Sequence, residues 1–181
     1  MSNNDFVGTI PRGVGSLTNL EFLDLSMNSK ITGKLPSEIG RLSNLRDLVL
    51  SSTSLTGAMP EELYHLDVLQ DLKLDDCNFT GTISSKIAKM SGLQNLVLAG
   101  NSFSGVLPSD LGTLKSLIQV QLQGNNFNGT VPEAMCLLKG PNTLKKLVAD
   151  CASSSVAGKP PLVCPADCCT SCCDVITQIC F

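Results

Sequence analysis

The sequence predicts an α/β solenoid, in which short coils of chain stack side by side and share one core. Three observations support this prediction. A glycine recurs every 24 or 25 residues, a leucine pattern LxxLxLxx recurs between these glycines, and the 181-residue chain is 43% hydrophobic with only 16% charged residues. A fixed period of this length is typical of repeat proteins, whose units bury their apolar faces only against one another.

The leucine pattern predicts one short strand in each coil. In Leu23-x-Leu25, apolar side chains alternate with other residues, and this period of two is typical of a strand with one face inward. Leucines at matching positions of successive coils then stack into an interior row. The pattern residues are Leu20, Leu23 and Leu25; Leu45, Leu48 and Leu50; Leu69, Leu72 and Leu74; Leu93, Leu96 and Leu98; Leu117, Val120 and Leu122; and an incomplete Leu144, Leu147 and Ala149.

A small polar residue follows each strand and predicts an inward turn. Asn28, Asn101 and Asn125 occupy this position, where an amide can bond backbone groups that have lost their partners. Thr53 and Cys77 occupy the same position in the second and third coils, with weaker hydrogen-bonding groups. These two coils are therefore expected to be tied less firmly to their neighbours.

Glycine and proline mark the next segment of every coil. The glycines predict a backbone conformation that disfavours a Cβ, and the prolines suit an exposed bend because they fix φ and lack an N–H. Ser84 stands where the other coils have proline. The glycines are Gly8, Gly33, Gly57, Gly81, Gly105 and Gly129, and the prolines are Pro11, Pro36, Pro60, Pro108 and Pro132.

These units, LxxLxLxxNxLxGxIPxxLxxLxx, resemble plant-type leucine-rich repeats, and the resemblance extends from residue 1 to about residue 151. The resemblance implies a right-handed superhelix with a concave parallel sheet and a convex side of loops, short strands or short helices. It also implies extracellular receptors, receptor-like proteins and inhibitors of cell-wall hydrolases as functional relatives. We therefore divide the chain into repeats over 1–150 and a cysteine-rich C-terminal cap over 151–181.

The first coil is expected to be incomplete. Asn4, Phe6 and Gly8 match successive positions of the repeat, which places Met1 inside a strand with no capping segment before it. This register predicts a fragment of a longer secreted or membrane-anchored protein, with a short natural protein as the alternative. A membrane anchor in a full-length parent is compatible with this reading, although no apolar run in the chain is long enough to span a bilayer.

Nine cysteines indicate an oxidising compartment, and eight of them belong to the C-terminal end. An even number predicts four disulfides, whose connectivity the sequence leaves open, and a disulfide-rich cap would cover the last coil. A zinc site at Cys169-x-x-Cys172 is the alternative. Cys77 is expected to be a small buried thiol. The predicted disulfide cysteines are Cys136, Cys151, Cys164, Cys168, Cys169, Cys172, Cys173 and Cys180.

Two sequons support an extracellular or cell-surface location. Asn78-Phe79-Thr80 and Asn128-Gly129-Thr130 follow the polar turn position, and we expect both in exposed turns where a glycan can attach. The net charge of −3 with no basic cluster argues against nucleic acid as a partner. The sequence gives no indication of the oligomeric state.

The outward positions of the predicted strands are free to encode recognition, because packing does not fix them. Aspartates surround Lys73 at the centre of these positions, and three glutamines follow beside them. We expect a polar protein, peptide or glycan ligand on this concave face, although a merely solvated surface would show the same residues. The candidate ligand-binding residues are Asp47, Asp71, Lys73, Asp75, Asp76, Asn95, Gln119, Gln121 and Gln123.

No cofactor site or catalytic constellation is apparent in the sequence. The single histidine, His65, lies between core leucines with no nucleophile in register. The sequence therefore favours a non-catalytic recognition module, part of a receptor-like protein or a secreted inhibitor of cell-wall hydrolases. A more remote alternative is an ice-binding solenoid, suggested by one series of polar residues at coil spacing: Thr32, Thr56, Thr80, Ser104 and Asn128.

Overall fold

The computed structural model describes residues 4–140, 143–150, 162–165 and 168–173. Within these ranges the chain forms thirteen short strands, which pair in parallel. The strands are β1 Gly8–Thr9, β2 Phe22–Asp24, β3 Ile31–Lys34, β4 Asp47–Val49, β5 Ser54–Gly57, β6 Asp71–Lys73, β7 Asn78–Gly81, β8 Asn95–Val97, β9 Ser102–Val106, β10 Gln119–Gln121, β11 Asn126–Asn128, β12 Lys146–Asp150 and β13 Ser171–Cys173.

Two parallel sheets run along the stack. The main sheet has the order β13-β12-β10-β8-β6-β4-β2, and the second sheet has the order β1-β3-β5-β7-β9-β11. Each coil from β2 to β11 thus contributes one strand to each sheet. This arrangement confirms the predicted solenoid of parallel strands.

A short helix completes each coil after its second-sheet strand. Five of these helices are 3₁₀ helices, and the last, Glu133–Cys136, is a single α-helical turn. A 3₁₀ helix rises farther per residue than an α-helix, so five residues suffice to return the chain toward the main sheet. The 3₁₀ helices are Arg12–Ser16, Ser37–Arg41, Glu61–His65, Ser85–Lys89 and Ser109–Thr113.

The interior of the stack is a continuous column of leucines. Leu50, Leu74 and Leu98 are fully buried, as the strand period predicts. Leu25, at the end of the stack, is only partly buried because no described coil covers it. Beneath the second sheet, the rings of Phe79, Phe103 and Phe127 stack with centroids 6.0 and 6.2 Å apart.

The asparagines after the strands join neighbouring coils, as predicted. The Asn101 amide donates to the carbonyl oxygens of Leu98, 3.1 Å away in its own coil, and of Leu74, 2.7 Å away in the preceding coil. Its Oδ1 accepts the backbone N–H of Phe79 at 2.9 Å. Asn125 bonds its own coil and the preceding one in the same way. One side chain thus satisfies backbone groups of two coils at once.

Thr53 and Cys77 satisfy fewer groups at the same position. The Thr53 hydroxyl donates to the Leu50 carbonyl at 2.9 Å, and the Cys77 thiol donates to the same oxygen at 3.2 Å. Cys77 is a buried free thiol, as predicted, and burial raises its pKa. These contacts agree with the expected weaker ties of the second and third coils.

The residue before each asparagine position adopts a left-handed conformation. Three of these residues are not glycine: Met27 at φ 58°, Ser52 at φ 56° and Asp76 at φ 52°. In four coils the N–H of this residue donates to a backbone carbonyl just after the main-sheet strand of the next coil, as from Gly100 to Gln123 at 2.9 Å. The left-handed conformation is strained for a residue with a Cβ, but it directs this N–H toward the next coil, where the hydrogen bond offsets the strain.

The last of these turns is closed by a side chain. The Asp150 carboxylate, which is 8% exposed, accepts the backbone N–H of Gly124 at 3.0 Å with each of its oxygens. It also accepts the N–H of Asn125 at 3.4 Å. In the earlier coils a backbone carbonyl of the next coil accepts the N–H of the left-handed residue, and at Gly124 the Asp150 carboxylate accepts it instead.

The recurring glycines have the predicted backbone conformation. Gly81 has φ 85° and Gly105 has φ 78°, in the region that residues with a Cβ avoid. The prolines lie immediately before the helices, where the missing N–H costs nothing. Ser84 replaces proline for a reason that the sequence did not reveal: its N–H donates to the hydroxyl of the buried Tyr64 at 3.2 Å.

Among the described residues, two disulfides lie at the C-terminal end. Cys136 bonds Cys168, and Cys164 bonds Cys169. Because Cys169 is in a disulfide, the structure argues against a zinc site at Cys169-x-x-Cys172. Cys151 and Cys180 lie outside the described residues, and the side chains of Cys172 and Cys173 do as well, so the other predicted disulfides and the boundary of the cap stay predictions.

We predict that Asn101→Ala will lower the free energy of unfolding by at least about 2 kcal/mol, because it leaves buried backbone groups of two coils without partners. Urea denaturation followed by circular dichroism measures this change. Thr53→Ala, at the same position with fewer bonds, is the matched comparison and should cost about half as much. Equal losses would contradict a special role for the amide.

We also predict a pH-dependent contribution of Asp150. Burial raises the pKa of this carboxyl, against the opposing effect of the Gly124 and Asn125 N–H groups. The raised pKa means that Asp150 stabilises the fold most below its unfolded pKa of about 3.9, and that this stabilisation is lost as pH rises through the folded pKa.

The difference in free energy of unfolding between the wild type and Asp150→Asn should therefore fall as the pH is raised above about 4. Urea titrations of both proteins at a series of pH values measure it. A difference that instead grows with pH would show that the two N–H groups outweigh burial.

Candidate functional site

The solvent-facing side of the main sheet, here called the main-sheet face, consists of three columns of outward side chains in register across the strands. The first column contains four of the nine predicted polar residues, and the third lies just beyond the strand ends. The columns are Phe22, Asp47, Asp71, Asn95, Gln119 and Lys146; Asp24, Val49, Lys73, Val97, Gln121 and Val148; and Ser26, Ser51, Asp75, Ala99, Gln123 and Asp150.

Asp71 is the centre of a hydrogen-bonded cluster. Its carboxylate accepts from Lys73 Nζ at 2.7 Å and, through a short bond, from the Asn95 amide. Burial alone would raise the pKa of Asp71, but the bonds from Lys73 and Asn95 outweigh it and lower this pKa. Asp71 is therefore a fixed anion whose charge is partly neutralised within the sheet.

Asp47 lies beside Asp71 on the neighbouring strand. Burial, followed by repulsion from the Asp71 carboxylate, raises the pKa of Asp47. Two adjacent carboxyls with pKa values shifted in opposite directions share protons unequally, so Asp71 ionises first. A cation placed against Asp47 would relieve the repulsion and favour its charged form.

Two further aspartates lie at the strand ends. The Asp75 carboxylate accepts the Ser51 hydroxyl at 2.6 Å across the sheet. Asp24 similarly accepts from the Ser26 hydroxyl at 2.6 Å. Asp76 is exposed at the edge of the face in its left-handed turn, with its side chain above Gly100. The coils of β2, β4 and β6 thus present negative charge around a single lysine.

The predicted glutamine strip lies next to this acidic region. Gln119, Gln121 and Gln123 are half-buried, and Gln123 Nε2 donates to Gln121 Oε1 at 3.4 Å. Gln123 Oε1 is buried with no hydrogen-bond partner among the residues that the structure describes. The strip is neutral and offers both donors and acceptors.

Sequence reasoning missed the two charged residues that β12 adds to this face, Lys146 and Asp150. Lys146 pairs in register with Gln119 and is exposed at the C-terminal end of the first column. The signal was present, because the incomplete repeat at Leu144 and Leu147 places Lys146 in an outward position. Phe22 lies at the opposite end of this column and is 57% exposed.

The sequons are not in turns, contrary to expectation. Asn78 lies in β7 and Asn128 in β11, both strands of the second sheet. Asn78 is exposed and Asn128 is half-buried. The sequence analysis predicted a turn at this position, whereas each coil forms a second strand there. Whether they carry glycans stays a prediction.

His65 lies away from the main-sheet face. It ends the 3₁₀ helix Glu61–His65 and is exposed beside Glu62 and Arg41. Among the described residues, no group of three or more histidine, cysteine or acidic side chains is arranged to hold a metal ion. The described part of the chain also contains no helix with the length and apolarity to cross a membrane.

Comparisons with known proteins agree with this architecture. The leucine-rich repeat family matches residues 19–42 and 92–114, and this family indicates no enzymatic activity. A search of curated protein sequences gave no match.

Several solved structures are similar over most of the chain. The Arabidopsis receptor kinase HAESA, solved with the peptide hormone IDA and the co-receptor SERK1, is 34% identical with a TM-score of 0.76, covering 82% of this chain and 24% of that one. The plant peptide hormone receptor RGFR1, solved with RGF2, is 31% identical with a TM-score of 0.77, covering 81% and 23%. A plant ice-binding protein is 27% identical with a TM-score of 0.72, covering 84% and 50%.

This chain spans about a quarter of the length of the two receptors that it resembles. The similarity to each of them extends over more than 80% of this chain. The chain is a leucine-rich repeat protein of the plant type.

Proposed function

We propose that this chain is a non-catalytic extracellular recognition module, which binds a protein or peptide ligand on the concave face of its main sheet as part of a receptor-like protein. The observation that supports the proposal most is the contrast between the two sides of the main sheet. Inward positions repeat leucine, whereas outward positions vary between acidic, amide, basic, hydroxyl and apolar side chains, the apolar ones including Phe22, Val49 and Val97. Such variation serves recognition, because packing does not require it.

The similar receptors add support from outside the chain. Two of them were solved with peptide hormones bound, and each shares more than 30% identity with this chain. The disulfides Cys136–Cys168 and Cys164–Cys169 favour an oxidising, extracellular location. A glycan ligand fits the same polar face, and so does the alternative of a secreted inhibitor of cell-wall hydrolases, which differs in partner rather than in binding surface.

A second candidate function is ice binding by the second sheet. The similarity to a plant ice-binding protein favours it. Thr32, Thr56 and Thr80 are exposed on successive strands of this sheet, where Thr32 pairs in register with Ser54 and Thr56 pairs with Lys34 and Asn78. The Thr56 hydroxyl donates to the Gly33 carbonyl at 3.2 Å, which restricts this side chain.

We predict that a ligand recovered from a library of secreted proteins and peptides will lose at least tenfold in affinity for the variant Asp47→Ala/Asp75→Ala/Gln121→Ala. Each substitution removes a polar contact of the main-sheet face, and a tenfold loss corresponds to about 1.4 kcal/mol. Surface plasmon resonance with the immobilised domain measures the dissociation constants.

The matched control is Thr56→Ala/Thr82→Ala/Ser102→Ala, three exposed positions in or directly after strands of the second sheet, which should bind the ligand like the wild type. Circular dichroism checks that both variants keep the fold. Equal affinity for wild type and main-sheet variant would place recognition elsewhere and overturn the proposal.

If the second sheet binds ice, the purified protein will show thermal hysteresis that Thr56→Lys abolishes, because a long charged side chain would project from among the exposed threonines of this sheet. Gln121→Lys, on the other sheet, should leave the hysteresis unchanged. A wild type without hysteresis at millimolar concentration would remove this candidate.

A further inference from the structure

The two sequons lie on different parts of the second sheet. Asn78 is the first residue of β7, and Asn128 is the last residue of β11. Burial alternates along β7, where Phe79 is buried and both Asn78 and Thr80 are exposed. Because successive side chains of a strand point to opposite faces, the acceptor amide and the sequon hydroxyl project to the same side. β7 therefore presents a complete sequon on its outer face.

The surroundings of Asn78 leave room for a bulky group. β5 places Thr56 opposite Asn78, whereas β9 begins at Ser102, which pairs with Thr80. β9 therefore places no strand residue directly opposite Asn78. The neighbouring Phe79 side chain is fully buried on the other face of the strand. A glycan on Asn78 would extend into solvent without displacing a side chain of the core.

Asn128 lies in more crowded surroundings at the C-terminal end of the same sheet. It is half-buried, and Val106 is its in-register partner on β9. A segment of the C-terminal end runs beside the second sequon, where the Val163 N–H donates to the Gly129 carbonyl at 2.7 Å. The Val163 carbonyl accepts the N–H of Val131 at 2.8 Å. A glycan on Asn128 would therefore obstruct the pairing of this segment with the last coil.

The outer face of the second sheet is uncharged over four strands. β5, β7, β9 and β11 contain only serine, threonine, asparagine, glycine and apolar residues. Val106, at the end of β9, is 64% exposed. Charged side chains keep the surfaces of soluble proteins from unspecific association, and these strands supply none. A hydrophilic group that covers this face would serve the same purpose.

We propose that Asn78 carries an N-linked glycan in the folded protein, that Asn128 does not, and that this glycan covers the uncharged face of the second sheet. The donor is an oligosaccharide linked to a lipid diphosphate. Asn78 Nδ2 loses a proton and bonds the anomeric carbon of the sugar, while the bond from that carbon to the diphosphate oxygen breaks. The diphosphate leaves with the electron pair of that bond, and nothing is oxidised or reduced.

The glycan orients the molecule, because such groups are bulky and keep the surface that they cover in contact with water. With the second sheet covered, the main-sheet face is the open side of the solenoid. In the glycosylated protein the threonines beside Asn78 are also closed to ice. The inference does not depend on which ligand the main-sheet face binds.

The test expresses the whole chain behind a cleavable secretion signal in a eukaryotic host. Peptide N-glycosidase in heavy-oxygen water converts each glycosylated asparagine to an aspartate that carries the heavy oxygen. After reduction, trypsin separates the two sites, because Asn78 lies in the peptide 74–86 and Asn128 in the peptide 116–139. We expect mass spectrometry of the secreted protein to show at least about fivefold higher occupancy at Asn78 than at Asn128.

Thr80→Val and Thr130→Val are the matched variants, because each removes the hydroxyl of one sequon and keeps a β-branched side chain. Thr80→Val should remove the glycan from the intact protein. Thr130→Val should change the intact mass only by the substitution itself. Comparable occupancy at the two sites, or an unmodified Asn78 in the secreted protein, would overturn the inference.

Thiol labelling tests whether the glycan covers the second sheet. Ser102→Cys places an exposed thiol on β9, next to the strand of Asn78, and Gln121→Cys places one on the main sheet. Enzymatic removal of the glycan should speed the reaction of Ser102→Cys with a polymer-linked maleimide at least about threefold and leave the rate at Gln121→Cys unchanged. Circular dichroism checks that both variants keep the fold. An unchanged rate at Ser102→Cys would overturn the covering role and leave the proposed recognition face standing.

Discussion

The structure depends on the register in which one coil stacks on the next. Parallel pairing in two sheets fixes that register along the strands, and the buried asparagines fix it at the turn between the sheets. Leucine stacking alone would tolerate sliding, because apolar contacts have no direction. Hydrogen bonds from one amide to two coils do have direction, so they fix the register of coils whose leucine contacts alone would not.

That register also determines which side chains are neighbours on the main-sheet face. Because each strand aligns with the next residue by residue, side chains 24 residues apart become neighbours, such as Asp47 and Asp71. A local property of each repeat, its outward residue, becomes a row across the whole sheet. Asp71 with Lys73 and Asn95 shows the result, a cluster assembled from two strands that no single repeat contains.

The period made much of this predictable from the sequence, since it identified the leucine rows, the asparagine turns and the left-handed glycines. Lys146 escaped because the period lengthens from 24 to 27 residues between Leu117 and Leu144. The bond between Tyr64 and Ser84 involves residues whose repeat positions usually hold other types, and a periodic pattern cannot anticipate an exception. Disulfide pairing was open because it depends on distances in the folded chain, which cysteine counting does not supply.

The carboxylate of Asp150 bears on how such an array can change its length during evolution. It accepts the N–H of Gly124, whereas in the earlier coils a backbone carbonyl of the next coil accepts the corresponding N–H. Whole 24-residue units duplicated upstream of Gly124 would preserve this arrangement and widen the face by one strand at a time.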